Sequence, residues 1–413
     1  MKKIVTLYIT VMMCIFCLSL PVSVIAATNA QIVNAIDLGM SNLASQQTGG
    51  GSWSYGGYDQ AATGAAVGAF MTQKSLWGSN AAAYQGVVDA GMNYLLNSAT
   101  VNTVGVRNDS YNPCGSGTCT GVYWDGNGEA TYTTGLVASA IGQYAAGHAG
   151  DVATTSGPLA NMTWTQIAQG ITNEFAAGQS TASSGDRRGG WRYFPGTQDS
   201  DSSTTQWAVL SMIYDQSLGA TTPAFVKSEL KYWLAAVQDP NGGAHYQPSG
   251  GNYFILDNSD TGGFLISQAF VGTAKTDPAV QAALAFLNIH WKDSANNDWF
   301  GDFGQPYAML ADFKALELTL GLNDNTTITN LLDTSQANWW QDYNEWLVNN
   351  QNGNGSWSGY GNWTGMLATA FDLNIVGGTV IPITPTGTPE PATMLLLGLG
   401  LMGLAGVRRK FKK

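Results

Sequence analysis

Cysteine, histidine and charged side chains are all scarce in this sequence of 413 residues, which has four cysteines, three histidines and 11% charged residues. Cys14 and Cys17 lie in the N-terminal apolar segment, and the histidines are scattered at His148, His245 and His290. A zinc site needs Cys, His or acidic ligands close together. No nucleophile elbow or phosphate-binding loop occurs either. We therefore expect no bound metal and no cofactor.

Both ends of the chain have the sequence pattern of targeting segments. Residues 1–26 combine a basic start, a long apolar run and small residues before Ala27, which predicts a signal peptide and export. Residues 389–413 contain Pro389-Glu390-Pro391, an apolar run at 392–407 and a basic end that includes Arg408 and Arg409. The apolar run predicts one transmembrane helix with the basic end in the cytoplasm.

The C-terminal order of Pro-Glu-Pro, apolar helix and basic tail resembles the PEP-CTERM sorting signal of exopolysaccharide-producing Gram-negative bacteria. The resemblance implies an exosortase-type processing enzyme as a partner. It also implies a cell-envelope or extracellular-matrix location, with the membrane contacted through the C-terminal helix and polysaccharide as a further expected partner. An ordinary C-terminal anchor is the alternative.

The body between these segments is strongly acidic. Without residues 1–26 and 389–413 it keeps ten Lys or Arg and 27 Asp or Glu, so its net charge is near −17. A body with this charge is repelled by nucleic acid and by anionic lipid head groups. We therefore expect no nucleic-acid partner.

The two cysteines of the body, Cys114 and Cys119, flank a short polar loop. In the oxidising compartment to which a signal peptide leads, two such cysteines predict a local disulfide.

Six pairs of helical segments account for residues 27–376, and residues 377–388 form a linker to the tail. In each pair an amphipathic helix precedes a glycine-aromatic loop and a second helix rich in small residues. The second helices are predicted at 61–71, 133–144, 204–214, 261–270, 306–320 and 364–373. Helices apolar on every face are buried ones. The pattern predicts an all-α (α/α)6 toroid with these helices inside, and an open solenoid is the alternative.

The best-preserved repeat unit, residues 189–210, joins Gly-Gly-Trp-Arg-Tyr-Phe-Pro-Gly to Asp201 and an apolar helix. It resembles the repeats of the prenyltransferase and squalene cyclase superfamily, and the resemblance implies an α/α toroid. Cyclases of that superfamily protonate an alkene with an Asp-x-Asp-Asp cluster, whereas residues 199–202 here are Asp-Ser-Asp-Ser. We expect Asp201 to cap the following helix, whose free amides favour an ionised carboxylate.

In a toroid, the N-termini of the inner helices meet at one end. The acids predicted at that end are Asp59, Glu129, Asp201, Asp257, Asp260 and Asp302, and Tyr58, Tyr253 and Trp363 lie in the same loops. Rings stack on sugar faces and carboxylates accept hydroxyl hydrogen bonds. The predicted ligand-binding residues are Trp53, Tyr55, Trp124, Trp191, Tyr193, Asp201, Tyr246, Trp299 and Trp357. The alternative is that these tryptophans fill the junctions between helix ends.

These features favour an exported cell-surface or exopolysaccharide-associated protein with a binding or structural role. An enzyme is less favoured, because the sequence has no complete catalytic motif. The alternative is an enzyme of the toroid superfamily, either a glycan hydrolase or lyase or a terpenoid cyclase. Glu129 and Asp201 are the candidate carboxylates for glycan cleavage. A deep, dry, aromatic cavity at the centre of the ring would favour a terpenoid ligand, and an open acidic groove would favour a glycan. A centre filled by side chains would exclude both ligands.

Overall fold

The computed structural model describes residues 26–248, 256–294, 301–322, 324, 326–334, 336 and 338–378. Among these residues, no helix has the length and apolarity needed to cross a membrane. The predicted span at 392–407, nearly all of the predicted signal peptide, Tyr253 and Trp299 lie outside the described residues. The boundaries of the signal peptide, linker and tail therefore stay predictions.

Twelve α-helices occur in the described ranges, as six consecutive pairs. The first helices of the pairs are α1 (Asn29–Ala44), α3 (Ala81–Asn97), α5 (Trp164–Gly178), α7 (Ala224–Val237), α9 (Pro278–His290) and α11 (Trp339–Asn350). The second helices are α2 (Asp59–Thr72), α4 (Ala130–Tyr144), α6 (Ser202–Ser217), α8 (Asn258–Val271), α10 (Pro306–Thr319) and α12 (Gly365–Ile375). The sequence places both ends of every second helix within three residues of those observed.

The second helices form a closed inner ring. Each packs on the next in chain order, and α12 packs back on α2. Thr72 donates to Asn374 Oδ1 at 2.9 Å, and the side-chain amide of Gln73 donates to the carbonyls of Leu373 and Val376 at 2.6 and 2.7 Å. Helix α11 also contacts α1 in the outer ring. The body is therefore a closed (α/α)6 toroid and not an open solenoid.

Burial separates the two rings as the residue pattern predicts. Helix α6 is buried at every position from Ser202 to Asp215, and small residues such as Gly135 let neighbouring inner helices approach closely. Outer helix α1 buries one stripe that includes Ile36, Met40 and Leu43. The core therefore lies between the rings and within the inner one.

Within the described residues, three short antiparallel ladders in the loops add to the mostly helical architecture that the sequence predicts. The ladders pair β1 (Thr100–Val104) with β2 (Cys119–Tyr123), β3 (Ala244–His245) with β4 (Leu256–Asp257), and β5 (Gly359–Tyr360) with β6 (Trp363–Thr364). Thr and Val in β1 and β2 favour strand geometry. This local signal is weak because the loop around it is rich in glycine and polar residues. The predicted disulfide between Cys114 and Cys119 is confirmed, with the two Cα atoms 5.5 Å apart.

Four loops close the junction between an outer and an inner helix in the same way. The indole N–H of each loop tryptophan donates to a carbonyl near the end of the preceding outer helix at 2.7–2.9 Å. Its backbone N–H donates to a threonine hydroxyl of the next inner helix. These tryptophans, at most 2% exposed, are Trp53, Trp124, Trp191 and Trp357. We call these four sites the helix junctions.

A glutamine ties each of four helix pairs to the next. Its side-chain amide donates to a glycine carbonyl of its own loop and to a carbonyl of the next outer helix at 2.7–3.2 Å. The four residues are Gln47, Gln179, Gln238 and Gln351. Gln351 reaches Ala35 of α1 and so helps to close the ring. At Gly189, with φ of +90°, a Cβ would overlap the carbonyl oxygen of Glu229, so only glycine permits this approach.

Candidate functional site

A cavity of about 430 Å³ opens where the inner helices begin, at the end of the ring that we call the mouth. Exposed residues Gly56, Gly361 and Asn362 form its rim, and buried Leu136 and Leu367 lie at its inner side. The rings on its wall are Tyr55, Tyr58, Tyr132, Tyr193, Trp363 and Phe371. Leu136 and Phe371 also border a smaller cavity of about 40 Å³, so the ring narrows there without being filled.

Glu129 brings a carboxylate to this cavity. It stands directly before α4, yet its side chain makes no hydrogen bond to the amides of that helix. One carboxylate oxygen accepts a hydrogen bond from Tyr58 Oη at 3.3 Å. Burial raises the pKa of Glu129, the Tyr58 hydroxyl lowers it, and the charge of Asp201 raises it further. Glu129 is therefore a partly buried carboxyl group that the helix cap does not use.

Asp201 is fully buried and caps α6. Its Oδ1 accepts from the Thr204 amide, the Thr204 hydroxyl and the Ser203 hydroxyl at 2.7–2.8 Å. Its Oδ2 accepts from Arg192 Nη1 at 2.8 Å and from Tyr246 Oη at 3.1 Å. Burial nevertheless raises the pKa of Asp201, although Arg192 and the other donors oppose the rise. The amide at the helix end lowers the pKa of Asp201 as expected, but desolvation is the larger effect and the net direction is upward.

Two tyrosines connect Asp201 to the cavity. Tyr246 donates its hydroxyl hydrogen to Asp201, so in the 2.9 Å contact between the two hydroxyls Tyr193 is the donor and Tyr246 the acceptor. Burial is the largest cause of the raised pKa of both tyrosines, so both keep their protons. The Tyr193 ring lines the cavity, and Asp201 therefore affects the cavity through Tyr193 and not by direct contact.

Four of the five predicted ligand-binding tryptophans, those that the structure describes, occupy the helix junctions instead of the cavity. Trp53, Trp124 and Trp191 have no exposed surface, and Trp357 keeps 2%. A side chain without exposed surface cannot stack on a sugar, so their assignment as ligand contacts is corrected to junction packing. Of the other predicted contacts, Tyr55 and Tyr193 line the cavity, Tyr246 lies behind Tyr193, and Trp299 is outside the described residues.

Three of the four other predicted acids, Asp59, Asp257 and Asp302, accept hydrogen bonds within the fold, whereas Asp260 Oδ1 is buried without a hydrogen-bond partner among the described residues. Asp257 caps α8 through the amide of Asp260, and Asp302 accepts from Tyr343 Oη at 2.8 and 3.0 Å. Asp59 accepts from the Ser54 hydroxyl and the Tyr55 amide. None of these acids is among the described residues that line the cavity.

Two wall residues from the inner helices, Tyr132 and Phe371, were missed by sequence reasoning. Tyr132 lies at the third position of α4 and stacks on Tyr193 with ring centroids 6.0 Å apart. Its place three residues after Glu129, in a helix otherwise made mostly of small residues, was a usable signal. Phe371 had no such signal, because α12 is apolar on every face.

No curated protein sequence matches this chain. Among solved structures, the chain is similar to the apo type II terpene cyclase MstE from Scytonema, with 14% identity over 80% of this chain and 82% of that chain and a TM-score of 0.45. It is also similar to a variant of that cyclase in complex with its product merosterolic acid A, with 15% identity, 84% and 96% coverage and a TM-score of 0.44.

The C-terminal segment has a sequence match of its own. Residues 388–410 match the family described as the PEP-CTERM protein-sorting motif. This motif is the recognition signal for exosortase processing and indicates membrane-associated sorting to the cell envelope. The chain is therefore an exported protein that carries a PEP-CTERM sorting motif.

Proposed function

We propose that the toroid is a binding module at the cell surface and that its mouth holds a hydroxylated ligand, such as the terminal units of an exopolysaccharide. The observation that carries this proposal is the cavity of about 430 Å³, walled by aromatic rings and one carboxylate. Its volume lies within the roughly 300–1,000 Å³ of small-molecule sites. Tyrosine and tryptophan faces suit the apolar faces of sugar rings, and Glu129 can accept from a sugar hydroxyl.

The rim supports an end-on mode of binding. Gly56, Gly361 and Asn362 are exposed, whereas Leu136 and Phe371 at the inner side are buried. A polymer can therefore insert its last units while the rest of the chain continues into solvent. This geometry suits a protein that holds matrix polysaccharide without cutting it.

The two candidate carboxylates support binding more than glycan cleavage. Glycosidases place two carboxyl groups about 5–10 Å apart across a cleft, one to protonate the leaving group and one to attack or to activate water. Glu129 faces the cavity, but Asp201 is fully buried and accepts five hydrogen bonds. An acid in that position has no free oxygen to offer a substrate.

Titration calorimetry of the full-length protein with exopolysaccharide fragments tests the proposal. Trp363→Ala removes a ring from the wall and should weaken binding about tenfold, since stacked rings contribute on the order of 1 kcal/mol each. Tyr232→Ala, an exposed ring on outer helix α7 away from the cavity lining, is the matched control and should bind like the wild type.

Two results would contradict the proposal. One is an unchanged affinity in Trp363→Ala, and the other is no binding by the wild type across a broad panel of glycans. Chromatography of the same mixtures examines the enzymatic alternative. Shortened products that appear with the wild type and vanish with Glu129→Gln would establish cleavage in place of simple binding.

A further inference from the structure

We infer that the ligand of the mouth cavity carries a protonated amino group that lies beside Glu129, as an amino sugar or an alkylammonium head group does. The inference rests on the proposed function, because it names the ligand class of the same cavity. It follows from the polarity of the cavity wall, in which the groups left for a ligand are negative or electron-rich.

The tyrosine hydroxyls on the cavity wall all donate their hydrogen bonds to protein acceptors. Tyr55 donates to the carbonyl of Asn362, Tyr58 to Glu129, Tyr132 to Tyr307 and Tyr193 to Tyr246. Each phenol therefore offers a ligand only oxygen lone pairs and the face of its ring. A ring face is the negative end of the aromatic quadrupole, so it attracts a cation.

No positive group of the described wall balances Glu129. Of the fifteen described residues that line the cavity, none is Lys or Arg. Arg192 stacks on Tyr193, but its guanidinium is used by Asp201 at 2.8 Å and Asp199 at 3.5 Å. Within the described part of the chain, Glu129 accepts a hydrogen bond from Tyr58 and forms no ion pair.

An ammonium ligand would interact favourably both with the tyrosine ring faces and with the carboxylate of Glu129. Partial burial of a carboxylate is unfavourable unless a charge or several donors compensate it, and a neutral sugar supplies only hydroxyl hydrogens. A cation placed between Glu129 and the rings gains an ion pair and cation–π contacts in a partly dehydrated site. The net charge of the body, near −17 from ten basic and 27 acidic residues, also raises the local concentration of cations.

Two pairs of probes of matched shape test the charge directly on the full-length protein. Choline is compared with 3,3-dimethylbutan-1-ol, its neutral carbon analogue, and glucosamine is compared with glucose, by ligand-observed NMR at pH 7. The cation of at least one pair should bind about tenfold more tightly than its neutral partner, and added salt should weaken the cation alone. The pair with the higher affinity tells an amino sugar from an alkylammonium group.

Variants at the carboxylate complete the test. Glu129→Gln should remove most of the preference for the cation, because it removes the ion pair and leaves only the cation–π contacts. It should weaken the neutral partner less, because the amide oxygen of glutamine can still accept a hydroxyl hydrogen. Tyr58→Phe removes the hydroxyl that donates to Glu129 and should keep or strengthen cation binding, so it reports on the site even if the glutamine variant folds poorly.

Equal binding within both pairs, or a cation preference that Glu129→Gln leaves undiminished, would overturn the inference while sugar binding keeps the proposed function intact. If neither these probes nor the polysaccharide fragments bind, the proposed function falls together with the inference.

Discussion

The second and third glycine-aromatic loops of the ring share one arrangement but use their acids in opposite ways. Trp124 and Trp191 are both fully buried and both donate to the end of the preceding outer helix. Glu129 and Asp201 then stand directly before inner helices α4 and α6. Asp201 turns back onto its helix and is sealed from solvent, whereas Glu129 leaves its helix uncapped and faces the cavity.

The neighbours of each acid explain the difference. Ser203 and Thr204, in the first turn of α6, both donate to Asp201. The corresponding Thr131 of α4 is tied to the third loop instead, since its amide and hydroxyl donate to the carbonyls of Tyr193 and Arg192. An acid before a helix is therefore a candidate for ligand binding only when the fold has given its cap donors to other partners.

Removing the two acids should have very unequal effects on stability. Asp201→Ala removes the acceptor shared by Arg192, Tyr246, the Ser203 hydroxyl and the Thr204 amide in a fully buried site, so the free energy of unfolding should fall by about 3–5 kcal/mol. Glu129→Ala should lower it by less than about 1 kcal/mol, as is typical away from the core. Urea unfolding of both variants measures the difference. Similar losses of stability would contradict the conclusion that the two loops use their acids differently.

Substitution of the junction tryptophan should lower stability equally in the two loops. Trp124→Phe and Trp191→Phe each remove an indole donor from a buried carbonyl, that of Leu95 or Phe175. We expect a loss of about 2–3 kcal/mol in each case, from the lost indole hydrogen bond and the smaller ring. Trp363→Phe, at the half-buried cavity wall, is the control and should change stability little. Unequal losses at the two junctions would show that the loops differ in more than their acids.

Asp312 of α10 extends the comparison to an acid that is buried without donors. Both its carboxylate oxygens lack a hydrogen-bond partner among the described residues, and burial raises its pKa well above the usual range. A carboxyl whose folded pKa exceeds its unfolded pKa of about 4 binds more protons when folded, so stability falls as pH rises from about 4 through the folded pKa. Urea unfolding across pH should therefore show a shallower fall for Asp312→Asn. An unchanged slope would exclude Asp312 as a source of the pH dependence.

The sequence was sufficient for the inner helices and the disulfide because both leave local signals. A second helix such as α6 is rich in small and apolar residues, and Cys114 and Cys119 lie five positions apart in an exported chain. The cavity wall was less predictable. A helix buried on all faces does not reveal which side chain points to the ring axis, as Phe371 illustrates.

Loop tryptophans and glutamines were also ambiguous in the sequence. A tryptophan in a glycine-rich loop can stack on a ligand or fill a helix junction, and the choice depends on carbonyls that the chain brings close only when folded. The bond from Gln351 to Ala35 joins residues 316 positions apart, a separation at which no sequence period gives a signal.

Loss of the disulfide should have only a small effect on stability, although it lies in the same second loop as Glu129. A closed loop of about six residues removes little chain entropy, about 2 kcal/mol at most in the loop-closure account. The segment is also held independently, since Arg107 pairs with Asp109 and Tyr111 stacks on Phe225 at 4.6 Å. The double variant Cys114→Ser, Cys119→Ser should therefore lose less than about 2 kcal/mol in urea unfolding and keep its affinity for cavity ligands. A marked loss of affinity would mean that the position of Glu129 depends on the whole second loop, and not only on the missing cap that distinguishes it from Asp201.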